Sequence, residues 1–112
     1  MQFFVYFTMA EGQEMGGSPP SPEAMTEMRK FHEEAIESGV IVATGRLSST
    51  TTRVRKDGEQ ISVTDGPFIE GKELIPGFSV IEVDSKQEAI EWVARYREMI
   101  GMPELRIAEI FT

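Results

Sequence analysis

Cysteine is absent from the sequence, which excludes disulfides, thiolate nucleophiles, iron–sulfur clusters and thiolate zinc sites together. Histidine occurs once, at His32, too few imidazoles for a metal centre, and no cofactor is expected. Basic charge is scarce: 11 Lys and Arg stand against 19 Asp and Glu, a formal net charge of -8. Such a surface repels phosphate backbones, so nucleic acid is not an expected partner. Long apolar runs are missing too. No stretch of about 20 apolar residues exists to span a bilayer, and the short apolar segment near Met1 lacks the basic flank of a secretory leader. The chain therefore reads as a cytoplasmic, non-membrane protein. What remains is an ordinary globular mixture, 40% hydrophobic and 27% charged over 112 residues, read as a single domain spanning 1–112.

The residues that are present divide into clear segments. Gln2 to Thr8 carries Phe3, Phe4, Val5, Tyr6 and Phe7, apolar groups on both faces, as expected of a central strand. Ala10 to Pro20 is rich in Gly, Ser and Pro and reads as an exposed loop. Ser21-Pro22 opens a helix, since Ser accepts from orphan N–H groups and Pro suits the first helical position. Met25, Met28, His32, Ala35 and Ile36, with Phe31 beside them, predict its packed face, and Gly39 closes it. Val40 to Leu47 predicts a second strand. Asp57-Gly58 predicts a two-residue hairpin turn that opposes Lys56 with Glu59, Val54 with Ile61 and Thr52 with Val63. Thr52, Val54, Ile61 and Val63 then share one face, and Arg53, Arg55, Gln60 and Ser62 the other. Phe78 to Val83 reads as a further strand. Ser85 with Glu88 three residues on forms a capping box for a second helix carrying Ala89, Ile90, Val93, Tyr96 and Ile100 inward, closed by Gly101 and Pro103. Leu105 to Phe111 alternates as a final strand.

The order strand, helix, strand, hairpin, strand, helix, strand predicts an α+β, ferredoxin-like split β-α-β fold with an inserted β-hairpin and both helices on one sheet face. The other face stays apolar. Soluble monomers rarely leave so large an apolar surface bare, so a homodimer with two sheets face to face is expected.

The run Thr52-Arg53-Val54-Arg55, Asp57-Gly58, then Val63-Thr64-Asp65-Gly66-Pro67-Phe68-Ile69-Glu70-Gly71-Lys72-Glu73 and Pro76-Gly77-Phe78 resembles the DGPF branch of the YCII-related proteins, and the similarity extends over nearly the whole chain. The resemblance implies a dimeric α/β barrel. It implies no particular reaction. YCII-related proteins of the other branch pair a first-helix His with an Asp as an acid/base dyad; Asp65 resembles that Asp, while the position of that His falls nearer Met28 than His32.

Asp65 is the foremost candidate catalytic residue. Enclosed in a turn, its carboxyl would suit general acid or base work; the competing reading is turn chemistry, with the carboxylate accepting backbone N–H groups. His32 is the second catalytic candidate, because histidine is the side-chain type that exchanges protons near neutral pH. Arg53, Arg55 and Lys72, with Phe68 as a pocket wall, are candidate ligand-binding residues for a small anionic metabolite, since guanidinium groups grip carboxylates in bidentate fashion. Their bland alternative is solvated charge paired with Glu59, Glu70 or Glu73. Two functions follow: a cofactor-independent enzyme in which Asp65 moves a proton on an anionic or carbonyl metabolite held by Arg53, or a non-catalytic dimeric metabolite-binding or regulatory module.

Overall fold

The computed structural model describes residues 1–10, 21–48, 50–66 and 73–112. In chain order the elements are β1 (Gln2–Tyr6), β2 (Met9–Ala10), α1 (Pro22–Glu37), β3 (Ile41–Arg46), β4 (Thr52–Asp57), β5 (Gln60–Asp65), β6 (Glu73–Leu74), β7 (Gly77–Glu82), α2 (Lys86–Ile100) and β8 (Arg106–Ile110). Most of the expected loop from Ala10 to Pro20 lies outside the described residues, as do Phe68 and Lys72.

Both helices start where a side chain satisfies an orphan backbone donor. Ser21 Oγ accepts from Ala24 N at 3.1 Å, with Pro22 at the first helical position. Ser85 Oγ accepts from Glu88 N at 3.1 Å, while Glu88 reaches back to Asp84 N at 3.3 Å. At the other end of α2, Gly101 takes the left-handed conformation at φ 73°, which a side chain would resist.

β1 lies between β7 and β8, and β3 pairs with β7, so the main sheet runs β3-β7-β1-β8. Every neighbouring pair in it is antiparallel. β1-α1-β3 and β7-α2-β8 are therefore two interleaved crossovers, each skipping over one strand. Phe3, Val5, Ile41, Ile81 and Val83 point to one face of this sheet, where Ala35, Ala89 and Val93 of the helices close over them to form the core. Successive residues of a strand face opposite ways, so Phe4, Tyr6, Phe78 and Val80 occupy the other face. Phe4 stacks there on Phe78 with ring centroids 5.6 Å apart and tilts against Tyr6 at 5.3 Å. A register shift between Ile41 and Ala43 breaks the alternation along β3.

The dimeric α/β barrel implied by the resemblance is not what forms. Among the described residues no sheet closes on itself: the main sheet is open, with β3 and β8 at its edges, and β2-β6 and β4-β5 are separate two-stranded sheets. The architecture is a mixed α/β fold of open sheets. A barrel requires each edge strand to find its neighbour, and here β4 and β5 pair only with each other.

The packed face of α1 also differs from expectation. Phe31 and Ala35 are buried with Ala24 and Met28 half-buried, whereas Met25 and Ile36 are 51% and 54% exposed. Phe31 decides the rotation: its ring packs against Trp92 at 5.4 Å and Tyr96 at 5.9 Å, an aromatic cluster that outweighs the thinner Met and Ile side chains.

Candidate functional site

The β4-β5 ribbon pairs Asp57 with Gln60, Val54 with Val63 and Thr52 with Asp65. The turn is therefore centred on Gly58 and Glu59, one residue beyond the expected Asp57-Gly58. Gly58 has φ +65°, and among the described residues no residue other than glycine shares that sign, so the glycine takes the first central place as in a type II′ turn. The pairing has moved by an even number, and face membership survives: Thr52, Val54, Ile61 and Val63 still lie together. Asp65 joins this apolar face, opposite Thr52, whose Oγ1 donates to Asp65 Oδ1 at 2.7 Å. Arg53 and Arg55 project from the other face, beside Thr64 and Ser62.

This geometry separates the candidates. Asp65 and the two arginines belong to opposite faces of one ribbon and do not converge on one ligand within a subunit. Asp65 is exposed, so a single chain does not give it the enclosure that acid chemistry in a turn requires. Val54, Ile61 and Val63 beside it are 65%, 63% and 65% exposed. The ribbon makes no substantial packing contact with either helix. Accordingly the radius of gyration is 16.8 Å, against about 13 Å for a compact chain of this length.

His32 sits elsewhere, at the junction of the helices. Its Nε2 lies 3.0 Å from Tyr96 Oη, and the two rings meet edge-on at 5.4 Å. The Ser79 hydroxyl on β7 lies near the Tyr96 phenol. Ser79 Oγ lies 3.0 Å from Thr44 Oγ1 on β3, and Thr44 donates to the Phe78 carbonyl at 3.1 Å. Among the described residues Ser79, 3% exposed, is the buried polar residue of an otherwise apolar core, and the Thr44 contact satisfies it. Burial pushes the Tyr96 phenol above its ordinary value near 10, and the nearby Ser79 hydroxyl offsets part of the rise.

The raised phenol predicts an alkaline weakness. Unfolded, Tyr96 ionises near pH 10; folded, it keeps its proton to higher pH, so across that interval the unfolded state binds fewer protons. The stability linked to Tyr96 is complete below about pH 10 and is lost as pH rises through the folded value. Thermal melts taken across alkaline pH should show this fall, and Tyr96→Phe should make it shallower.

Away from both places, a shallow groove lined by Ala24, Glu27, Arg95, Glu98 and Met99 runs between the helices. Among the described residues, no three His, Asp or Glu side chains gather in a way that would hold a metal ion. No helix among them is long and apolar enough to cross a membrane.

The YCII-related domain model matches residues 1–101. The chain belongs to that family. No curated protein matches it. Within this YCII-related domain, sequence reasoning singled out Asp65 and His32 and did not single out Tyr96, Ser79 or Thr44, which the structure brings close to His32 or to the core. Tyr96 fits the apolar period of α2, which hides its hydroxyl. Ser79 was the available signal, because a lone serine alternating with Ile81 and Val83 on a core face must find a partner.

Proposed function

We propose that this YCII-related domain belongs to the DGPF branch, a reading supported by Asp65-Gly66-Pro67-Phe68 between Asp57-Gly58 and Lys72-Glu73, and is a homodimeric binding module for a small anionic or carbonyl metabolite. The observation that carries the reading is the pair of uncovered apolar surfaces in one chain. Phe4, Tyr6, Phe78 and Val80 form the sheet face that neither helix covers, and Val54, Ile61 and Val63 form the bare face of the ribbon. An isolated two-stranded ribbon is marginal in water, and a second copy that covers both surfaces supplies what each chain lacks. In that arrangement the Asp65 carboxylate stands at the root of the ribbon's apolar face, where a ligand held between copies meets it. Arg55, exposed on the other face, adds local positive charge in a chain of net charge -8. A second reading gives Asp65 acid/base work on a carbonyl metabolite, favoured by the Thr52 Oγ1 hydrogen bond that holds its carboxylate in one orientation.

The experiment is a thermal-shift screen of the purified protein against small mono- and dicarboxylates, oxo acids and neutral carbonyl compounds, followed by product analysis for each hit. A stabilising compound that loses about tenfold or more in affinity with Asp65→Asn, and gives no product, supports the binding module. Turnover abolished by Asp65→Asn with an unchanged melting temperature supports the second reading. Binding that is indifferent to both Asp65→Asn and Arg55→Gln removes the ribbon from the site.

A further inference from the structure

Ile107 of β8 packs against the core, so Arg106, Ala108 and Ile110 stand on the opposite side of the sheet, the face that neither helix covers. Pairing sets Arg106 beside Tyr6, Ala108 beside Phe4 and Ile110 beside Gln2. Side chains rise roughly perpendicular to a sheet, so the methyl group of Ala108 lies well below the ring of Phe4 next to it. The result is a recess at the sheet edge, floored by Ala108, walled by Phe4 and Tyr6, and about 13 Å long from Arg106 to Ile110. Its floor is exposed in a single chain. Among the described strand residues of this face, Arg106 and Glu82 carry the charges, and they lie at opposite ends, Arg106 level with Tyr6 and Glu82 level with Gln2.

We propose that Arg106 is a ligand-binding residue and that this recess takes a flat aromatic carboxylate, with its ring against Phe4 and Tyr6 and its carboxylate on the terminal nitrogens of Arg106. The proposal rests on the reading of the protein as a homodimeric module for a small anionic metabolite, and it gives that metabolite a chemical class. Charge argues for the anion. Arg106 borders a surface that a second copy covers, and a guanidinium enclosed there is costly unless a negative partner accompanies it. Its contact with Glu104 runs through Nε at 3.4 Å, with the two side chains 46% and 71% exposed. The planar fork of terminal nitrogens is the edge that a carboxylate meets in bidentate fashion. Shape argues for the ring. Phe4 and Tyr6 lie 5.3 Å apart and continue into Phe78, a wall of half-buried aromatic carbon. Against such a wall another ring gains more than an aliphatic group of equal size, because aromatic quadrupoles pair edge to face or offset. A second copy laid over the face closes the recess on the ligand and, by excluding water, strengthens the ion pair.

Benzoate and 2-naphthoate are the probes, titrated into the purified protein in a calorimeter, with acetate, cyclohexanecarboxylate and benzamide as controls. Both aromatic carboxylates should bind, and each control should bind at least about fivefold more weakly than benzoate. Arg106→Gln should lower the affinity for benzoate at least about tenfold. Arg106→Lys keeps the charge and loses the fork, so it should recover only part of that loss. Ala108→Leu raises the floor and should weaken benzoate with Arg106 still in place. Both positions are exposed, so far-UV circular dichroism should be the same for all three variants. Affinity for benzoate that survives Arg106→Gln or is indifferent to Ala108→Leu overturns the proposal, as does acetate bound as tightly as benzoate. Oxo acids or neutral carbonyl compounds that bind in a manner sensitive to Asp65→Asn, while benzoate and 2-naphthoate do not bind, overturn it too and leave the binding module intact. Failure of every one of these compounds to bind overturns both.

Discussion

Ile81→Ala should cost the domain about 2–5 kcal/mol, a large part of the roughly 5–15 kcal/mol that a domain has in total. Ile81 is 0% exposed near the C-terminal end of β7, directly between Phe3 of β1 and Ile41 of β3. Truncation there removes buried methyl groups and leaves a hole that neither neighbouring strand can close without breaking its pairing. Ile36→Ala is the matched control. Its side chain is 54% exposed on α1, although its spacing makes it look like core, and its loss should change stability by no more than about 0.5 kcal/mol. Urea unfolding measures both, with an unchanged slope showing that the denatured state is the same. Equal losses would mean that α1 is rotated toward the face that its sequence period suggests.

Phe4→Lys should convert the proposed homodimer into a monomer, raising its dissociation constant by at least about 100-fold. Phe4 lies at the centre of the sheet face away from the helices, touching Phe78 and Tyr6. An ammonium there would be buried without a counter-charge in any assembly that covers this face. In a monomer it reaches water at the cost of the Phe4–Phe78 stack and the Phe4–Tyr6 contact. Light scattering at micromolar concentration reads the assembly, and far-UV circular dichroism checks that the fold persists. A wild-type protein that already scatters as a monomer at that concentration would refute the homodimer and, with it, the proposed binding module.

How far the sequence could be read depended on the kind of signal each residue carries. Helix ends were legible because capping is local: Ser21, Pro22, Ser85, Glu88 and Gly101 act within a few residues of themselves. The ribbon's faces were legible for a different reason. Its register departs from the expected one, yet a slip by an even number of residues leaves the two-residue alternation intact. The rotation of α1 was not legible, since Met25, Met28, Ile36 and Phe31 offer overlapping stripes and only Trp92 and Tyr96, far along the chain, choose between them. Sheet closure was likewise invisible: strand order follows from which edges meet in space, and the family resemblance supplied a barrel that the pairing of β4 with β5 does not make. The His32–Tyr96 and Thr44–Ser79 contacts each join two elements, and no periodicity within any one element announces them.

Trp92 is the lone indole of the chain, stacked on Tyr96 with ring centroids 5.1 Å apart and nearly parallel planes, 13° from each other. The span from Thr52 to Asp65 contains no aromatic residue. Intrinsic emission consequently reports on the joint between the two helices and is blind to the β4-β5 ribbon. Fraying of that ribbon passes unnoticed in a fluorimeter, so its order must be followed by amide exchange.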